Sequence, residues 1–102
     1  MASANVIYIA EICHAAYKAI CDIRGDYSYK TWYHESQKTR DAVISDVEYV
    51  LANPVAPHEH RHDRWYDAMK REGRILLTPE PTFEDRLKYD LFRAIAITSA
   101  SF

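Results

Sequence analysis

The chain is poor in glycine and in continuous hydrophobic segments, and each shortage excludes a class of protein. Among its 102 residues the only glycines are Gly25 and Gly73, so a glycine-rich phosphate-binding loop is excluded. No apolar stretch approaches the length of a transmembrane span. The start of the chain lacks the positive charge of a secretory signal, and Glu11 and His14 interrupt the apolar residues that follow. The sequence therefore predicts no membrane association.

Cysteine is also scarce. Cys13 and Cys21 lie eight residues apart in a predicted helix, a separation of ~12 Å along the axis, which is too far for a disulfide. No CxxC motif is present, so the sequence does not favour a zinc site or a thioredoxin-like site. Two buried free thiols suit a reducing compartment. We expect a cytoplasmic protein, in the host cytoplasm if the source is viral.

Positive charge is not in excess, because the formal net charge is −2. Electrostatic binding to nucleic acid requires a dense basic face, so the composition argues against a nucleic-acid partner. Apolar residues make up 48% and charged residues 27%, which is typical of one folded domain over residues 1–102.

Apolar residues recur at helical spacing over most of the chain, which predicts a mainly α fold of four helices. Gly25 and Gly73 are suited to end the first and third helices, and Thr82 with Asp85 forms a variant capping box for the fourth. Residues 74–77 are too few for a helix and predict an extended turn or a remnant β-hairpin. The expected helices run from about Ser3 or Asn5 to Arg24, from about Ser36 to Ala52, from His58 or His60 to Glu72, and from Thr82 to a frayed end at 98–102.

The inward faces of these helices follow from the same spacing. On the third helix we expect Trp65, Ala68 and Met69 to face the core. The loop after the first helix contains four aromatic residues, and we expect its Trp32 to fold back onto the helices. On the fourth helix the expected apolar stripe is Phe83, Leu87, Leu91, Ala94 and Ile95.

Alternating histidines at His58, His60 and His62 raise the question of a metal site. A metal needs several imidazoles or carboxylates converging on one point. All three rings would share a face in an extended segment, whereas in a helix only His58 and His62 would do so. No HExxH motif is present, so the zincin mechanism is excluded. A polar helix N-terminus is the favoured interpretation, and we predict no metal and no cofactor.

Catalytic machinery is not evident in the sequence. Nucleophilic catalysis requires a Ser or Cys beside an oriented base, and no GxSxG motif occurs. Cys13 and His14 are neighbours in sequence, but successive side chains on a helix point about 100° apart. We therefore predict a protein that is not an enzyme.

Aromatic and basic side chains are the stronger candidates for binding. Trp32 and Trp65 can stack on a planar ring, and Arg64 and its basic neighbours can meet a phosphate. His14 can exchange a hydrogen bond with a ligand. Composition alone favours the alternative in which Trp65 and His14 belong to the core and the charges form a solvated face.

Several short motifs, taken in order, resemble the ryanodine-receptor (RyR) domain family over nearly the whole chain. The opening helix resembles the family's IAE-x-x-HE-like run, and an H-x-x-W motif follows in the second half. The matching positions are 9–19, 25–26, Trp32, 62–65, Gly73, 86–88 and 91–95, and Tyr89 replaces the acidic residue that the family usually has after Lys88. The family continues from that glycine as a tryptophan-containing β-hairpin. Here 73–77 lacks the aromatic residues and the segment is shorter by about ten residues.

The resemblance implies a non-enzymatic module that binds a small nucleotide-derived signal, such as an ADP-ribose derivative or a cyclic nucleotide. For a short stand-alone copy it also implies a phage or bacterial origin and a role as a sponge for a host immune messenger. The alternative function is a protein-interaction or structural module that self-associates as a homo-oligomer through an exposed apolar patch. The predicted ligand-binding residues are His14, Tyr17, Trp32, His62, Arg64 and Trp65.

Overall fold

Four α-helices and one short 3-10 turn make up the part of the chain that the structure describes. The computed structural model describes residues 4–53, 58–73 and 82–100, and the side chains of 58–61 lie outside that description. The mainly α prediction is confirmed, and no strand occurs among the described residues. The predicted turn or hairpin at 74–77 falls outside them. In chain order the elements are α1 (Ala4–Ile23), the 3-10 turn (Trp32–His34), α2 (Gln37–Ala52), α3 (His58–Arg71) and α4 (Phe83–Ala100).

Glycines end α1 and α3 as the sequence predicts. Gly25 has a φ of 86° and Gly73 a φ of 72°, a left-handed conformation that side chains with a Cβ rarely adopt. At the end of α1 the Gly25 N–H donates to Asp22 O at 3.1 Å, and the Asp26 N–H donates to Cys21 O at 2.9 Å. This pair of hydrogen bonds is a Schellman motif, which satisfies two carbonyls that the helix leaves open.

Side-chain caps begin α2 and α4. The Ser36 Oγ accepts the Thr39 N–H at 3.1 Å. Thr82 and Asp85 form the predicted reciprocal box, in which the Thr82 Oγ1 accepts the Asp85 N–H at 3.1 Å and the Asp85 Oδ2 accepts the Thr82 N–H at 2.9 Å. Of the two predicted starts of α1, Asn5 lies inside the helix, which already includes Ala4, and Ser3 lies outside the described residues.

The hydrophobic core lies where α1, α2 and α4 meet, and α3 packs onto α4. The largest fully buried side chains are Phe92, Val47 and Cys13, one from each of the three central helices. The inward-facing residues predicted on α3 are confirmed, with Trp65 and Met69 each 2% exposed and Ala68 also buried. Burial of one large apolar side chain contributes ~1.5–3 kcal/mol, so these contacts hold the helices together.

The apolar stripe predicted for α4 is partly right, because Leu91 and Ile95 pack against the core, but it misses the most buried residues of the helix. The buried residues of this helix are Tyr89, Phe92 and Ala96, whereas Phe83 is 67% exposed and Ala94 is also exposed. The helix has apolar residues on two adjacent faces, and helical spacing cannot choose between them. The face that turns inward is the one that meets α1, where Phe92 packs against Tyr17 with ring centroids 6.4 Å apart.

Both cysteines are buried and free, as predicted. The Cys13 Sγ–H donates to the Phe92 carbonyl oxygen at 3.9 Å, which links α1 to α4. Burial raises the pKa of the Cys13 thiol to about 12, and the nearby carboxylate of Asp46 adds to the rise. Burial also raises the pKa of Cys21. Neither thiol is therefore activated as a nucleophile.

Candidate functional site

A cleft of about 740 Å³ opens between α1, α2 and α4 and reaches the end of α3. We refer to it as the central cleft. Its volume lies within the range of roughly 300–1,000 Å³ that is typical of small-molecule sites. Aromatic, cationic, hydroxyl and carboxylate side chains all line it. The lining residues include His14, Tyr17, Tyr29, Lys38, Thr39, Asp41, Ser45, Glu72, Gly73, Lys88 and Phe92.

His14 lines the cleft although its side chain is only 4% exposed. Among the described residues neither ring nitrogen has a hydrogen-bond partner. The nearest carboxylate oxygen, Glu35 Oε1, lies 3.5 Å from Nε2, which is longer than an ordinary hydrogen bond. Buried polar groups are nearly always paired, because an unpaired one costs ~1–3 kcal/mol. Both nitrogens are also shielded from solvent, so a ligand atom in the cleft pairs with this ring only after a local shift of side chains.

Aromatic rings surround His14 and continue into the cleft. The Trp32 ring meets His14 edge to face at 5.6 Å between centroids, and the Tyr29 ring does so at 6.4 Å. Tyr17 packs edge to face on Tyr29 at 5.3 Å. Burial raises the pKa of both tyrosines, so their hydroxyls stay neutral at physiological pH and can donate hydrogen bonds. This side of the cleft offers planar rings together with polar edges.

A cation is held at the α4 side of the cleft. The Lys88 Nζ lies 3.9 Å from Oδ2 of Asp46, whose side chain is 4% exposed. The same Nζ lies 5.6 Å from the Tyr17 ring centroid and 5.5 Å from that of Phe92. A buried carboxylate and two ring faces fix the ammonium group in place. Lys88 is therefore a preorganised donor for an anionic group.

The α2 side of the cleft is more polar and more open. Lys38 and Asp41 are exposed there, and Thr39 and Ser45 add hydroxyl groups. Glu72, at the end of α3, adds a second carboxylate. Carboxylates can accept hydrogen bonds from sugar hydroxyls or exocyclic amines, and Lys38 can meet a phosphate.

The loop that carries Tyr29 and Trp32 is anchored to α2 and to itself. The Arg40 Nη1 donates to the Glu35 carbonyl oxygen at 2.9 Å and reaches the Trp32 carbonyl oxygen at 3.4 Å. The Glu35 Oε1 in turn accepts the Lys30 N–H at 2.6 Å. Because these contacts fix the loop backbone, the rings on the α1 side of the cleft are held before any ligand arrives.

The predicted ligand-binding residues do not all come together. His14 and Tyr17 line the central cleft, and Trp32 lies behind His14 without lining it. His62 and Trp65 belong to a separate aromatic cluster between α3 and α4 with Tyr66 and Tyr89, at centroid distances of 5.6–6.2 Å from the His62 ring. Trp65 is a core residue there, being 2% exposed.

Arg64 lies apart from both groups. Its side chain is exposed, and its charge acts on Tyr49 of α2, where it opposes the rise that burial causes in the tyrosine pKa. His62 has its Nε2 buried and without a hydrogen-bond partner among the described residues. The roles of His62, Arg64 and Trp65 in ligand binding stay a prediction, and the geometry places them outside the central cleft.

The structure adds cleft residues that the sequence did not single out. Tyr29 was visible as part of an aromatic loop, and Lys88 as part of a helix motif, but neither stood out as a ligand contact. Phe92 belongs to the same helix motif without being predicted as a contact, and Lys38 carries no local signal. The contacts that place these residues in the cleft are formed between helices far apart in the chain. One of them is the ion pair between Lys88 of α4 and Asp46 of α2.

No metal-binding group of three His, Cys, Asp or Glu side chains occurs within the described parts of the chain. The side chains of His58 and His60 lie outside the described part of the chain. The hypothesis that the alternating histidines bind a metal therefore concerns mainly residues outside it. None of the described helices is long and apolar enough to cross a membrane.

Comparison with protein-family models, with curated proteins and with solved structures finds no match to this chain. The resemblance to RyR domains, which depends on short motifs in order, therefore stays a prediction.

Proposed function

We propose that this protein is a non-enzymatic module that binds a small nucleotide-derived ligand in the central cleft. The observation that carries the proposal is the buried His14 ring, which lines the cleft with neither nitrogen hydrogen-bonded among the described residues. A pocket with convergent polar groups and aromatic rings is typical of small-molecule sites. The RyR resemblance adds the ligand class, an ADP-ribose derivative or a cyclic nucleotide.

The side chains of the cleft can be matched to the parts of such a ligand. The base stacks on the Tyr29 side and takes a hydrogen bond from His14. A phosphate meets Lys88, with Lys38 at the open side. Hydroxyls of the ribose donate to Asp41. Among the described residues two lysines face the cleft and carboxylates accompany them, and this part of the site suits a ligand of low negative charge better than a polyphosphate.

Binding without turnover is the favoured outcome. The cysteine nearest to His14 in sequence, Cys13, is directed at the Phe92 carbonyl, and its raised pKa keeps it a neutral thiol. A module that binds a messenger and does not convert it acts by sequestration. We propose that role, in the cytoplasm of a bacterial host, as a phage-encoded or bacterial sponge for a nucleotide signal.

A thermal-shift panel tests the ligand class. The probes are cyclic AMP, cyclic GMP, ADP-ribose and cyclic ADP-ribose, with adenosine and inorganic phosphate as separate controls. A ligand at about 100 times its Kd stabilises the fold by ~2.7 kcal/mol, which is of the order of 10 °C for a domain of this size. We expect at least one nucleotide to raise the Tm and the two fragments not to. No shift with any nucleotide would refute the proposal.

Two matched variants test the location. His14→Phe replaces an unpaired buried ring by an apolar one, so we expect it to preserve or raise the Tm and to abolish binding. Lys70→Ala removes a cation that lies over the Tyr66 ring, outside the cleft, and should leave binding unchanged. Equal binding by His14→Phe and the wild type would contradict the assignment of the cleft.

A further inference from the structure

The face of α1 that points away from the core is apolar for most of its length. Tyr8 is 63% exposed and Ile12 50% exposed, and Ala15 and Ala19 are also exposed. These four residues follow one another at spacings of four, three and four, which places them in a single stripe along the helix. We call this stripe the outer face of α1. It spans ~17 Å, and it is opposite to the face that carries His14 and Tyr17.

The sizes of the side chains along this stripe are graded. Among these four residues, the large Tyr8 and Ile12 lie in the N-terminal half and the small Ala15 and Ala19 in the C-terminal half. One turn after Ala19 the large Ile23, 85% exposed, ends the helix on the same side. A second copy of the helix can pack antiparallel in a register that places Tyr8 opposite Ala19 and Ile12 opposite Ala15. Because the pair has a two-fold axis, each of these contacts forms twice. A parallel pair would instead place large against large and leave a gap between the alanines.

Charges beside the stripe specify the same orientation. Glu11 and Lys18 lie on one edge of the outer face, seven residues apart, at equivalent positions of the helical repeat. In the antiparallel register Glu11 of one copy comes beside Lys18 of the other, and the pair forms twice. Lys18 is already held by Asp22 at 2.7 Å on its own helix, so its ammonium group is positioned along this edge.

We propose that the outer face of α1 is the docking surface for a second copy of this chain, paired antiparallel about a two-fold axis. The occupant is a second copy because size and charge are both self-complementary in one register. One helix pair of this length falls below the roughly 1,200 Å² of a standard stable interface, so the dimer is weak and reversible. The central cleft stays open in each copy, since it lies on the opposite side of α1.

Sedimentation or light scattering over a concentration series tests the pairing, up to roughly 1 mM because the interface is small. We expect a monomer–dimer equilibrium in the wild type. Ile12→Lys places a charge opposite Ala15 and should raise the dimer Kd at least tenfold, roughly 1.4 kcal/mol. Tyr33→Lys is the matched control, because Tyr33 is 75% exposed on the 3-10 turn, and it should not change the Kd. A strict monomer at every concentration, or no effect of Ile12→Lys, overturns the proposal.

A charge exchange tests the electrostatic part. Glu11→Lys alone should weaken the dimer by setting like charges side by side, and adding Lys18→Glu should restore it. If the double variant is as weak as the single one, Glu11 and Lys18 do not meet across the interface. Far-UV circular dichroism confirms that each variant keeps its helices, so a loss of pairing cannot be confused with unfolding.

Disulfide trapping tests the orientation. Tyr8→Cys and Ala19→Cys are prepared separately and mixed under mild oxidation, and the native cysteines do not interfere because both are buried. The antiparallel register predicts that mixed Tyr8→Cys/Ala19→Cys dimers form faster than dimers of either variant alone. Faster formation of the Tyr8→Cys homodimer would indicate a parallel pair and would overturn the proposed arrangement. Neither result depends on a nucleotide, so failure here leaves the proposed function untouched.

Discussion

The Nε2 atom of His14 lies 3.5 Å from the Oε1 atom of Glu35, and the two side chains are 4% and 11% exposed. The same Glu35 oxygen accepts the Lys30 N–H at 2.6 Å. This carboxylate therefore anchors the loop that carries Tyr29 and Trp32, and it lies next to the His14 ring of α1 without forming a hydrogen bond to it. Together with Arg40, Glu35 holds the backbone of the loop that carries two of the rings near His14.

Two substitutions at Glu35 separate the loop anchor from the charge. Glu35→Ala removes the acceptor of the Lys30 N–H, and we expect it to lower the free energy of unfolding by about 1 kcal/mol. Glu35→Gln keeps an oxygen in that place and should cost less. Urea denaturation measures both. If Glu35→Ala is as stable as the wild type, the carboxylate does not anchor the loop.

Buried groups with raised pKa values make the fold sensitive to alkali. Burial raises the pKa of Cys13 from 9.0 to about 12 and raises the pKa of Tyr17 and Tyr29 above 10.0. Above pH 9 the unfolded chain loses these protons before the folded chain does, so the free energy of unfolding falls as the pH rises. The thiol alone contributes up to about 1.4 kcal/mol per pH unit in this window.

Urea denaturation at several values between pH 8 and pH 11 measures this effect. Stability should be flat near pH 8 and should decline above pH 9. Cys13→Ala lowers stability at every pH but removes one titrating group, so its decline should be shallower than that of the wild type. Parallel curves for the two proteins would contradict the prediction, because they would mean that burial does not raise the pKa of Cys13.

The orientation of α4 is tested by a pair of phenylalanines. Phe92 is 1% exposed at the centre of the core, and Phe92→Ala should cost about 3–5 kcal/mol through the cavity it leaves. Phe83 is exposed and lies under the Arg24 guanidinium, with 5.6 Å between the Arg24 Cζ and the ring centroid. We expect Phe83→Ala to cost no more than about 1 kcal/mol. Thermal or urea denaturation measures the stability of both variants. Equal losses of stability would indicate that the face of α4 with Phe83 packs against the core as closely as the face with Phe92.

The cap of α4 predicts a smaller effect. Thr82→Ala removes the oxygen that accepts the Asp85 N–H and should lower the free energy of unfolding by about 1 kcal/mol. Thr82→Ser keeps a hydroxyl group in the same place and should be close to neutral. A Thr82→Ala variant with an unchanged Tm would mean that α4 does not need its side-chain cap.

Helix ends could be predicted from the sequence because the chemistry that forms them is local. Gly25 and Gly73 supply a backbone conformation that other residues avoid, and Thr82 with Asp85 closes a hydrogen-bonded box within one turn. The burial of Trp32 was also predictable, since an aromatic ring in a short loop has nearby helices to cover it.

The inward face of α4 and most of the central cleft could not be predicted in this way. Both depend on contacts between distant helices. Phe92 is distinguished from Leu91 only by its position against Tyr17, and Lys88 becomes a fixed cation only beside Asp46. The sequence analysis assigns His62 and Trp65 to the same site as His14 because all three match motifs of one family. In the folded chain they form a separate cluster.

Chemical-shift mapping tests the central claim most directly. ¹H–¹⁵N spectra of the protein are recorded during titration with ADP-ribose, cyclic ADP-ribose, cyclic AMP and cyclic GMP. We predict that at least one of them shifts the amide signals of His14, Tyr29 and residues 38–45, which surround the central cleft. No change with any of the four would contradict the account, and so would changes confined to Arg64, Trp65 and Tyr66.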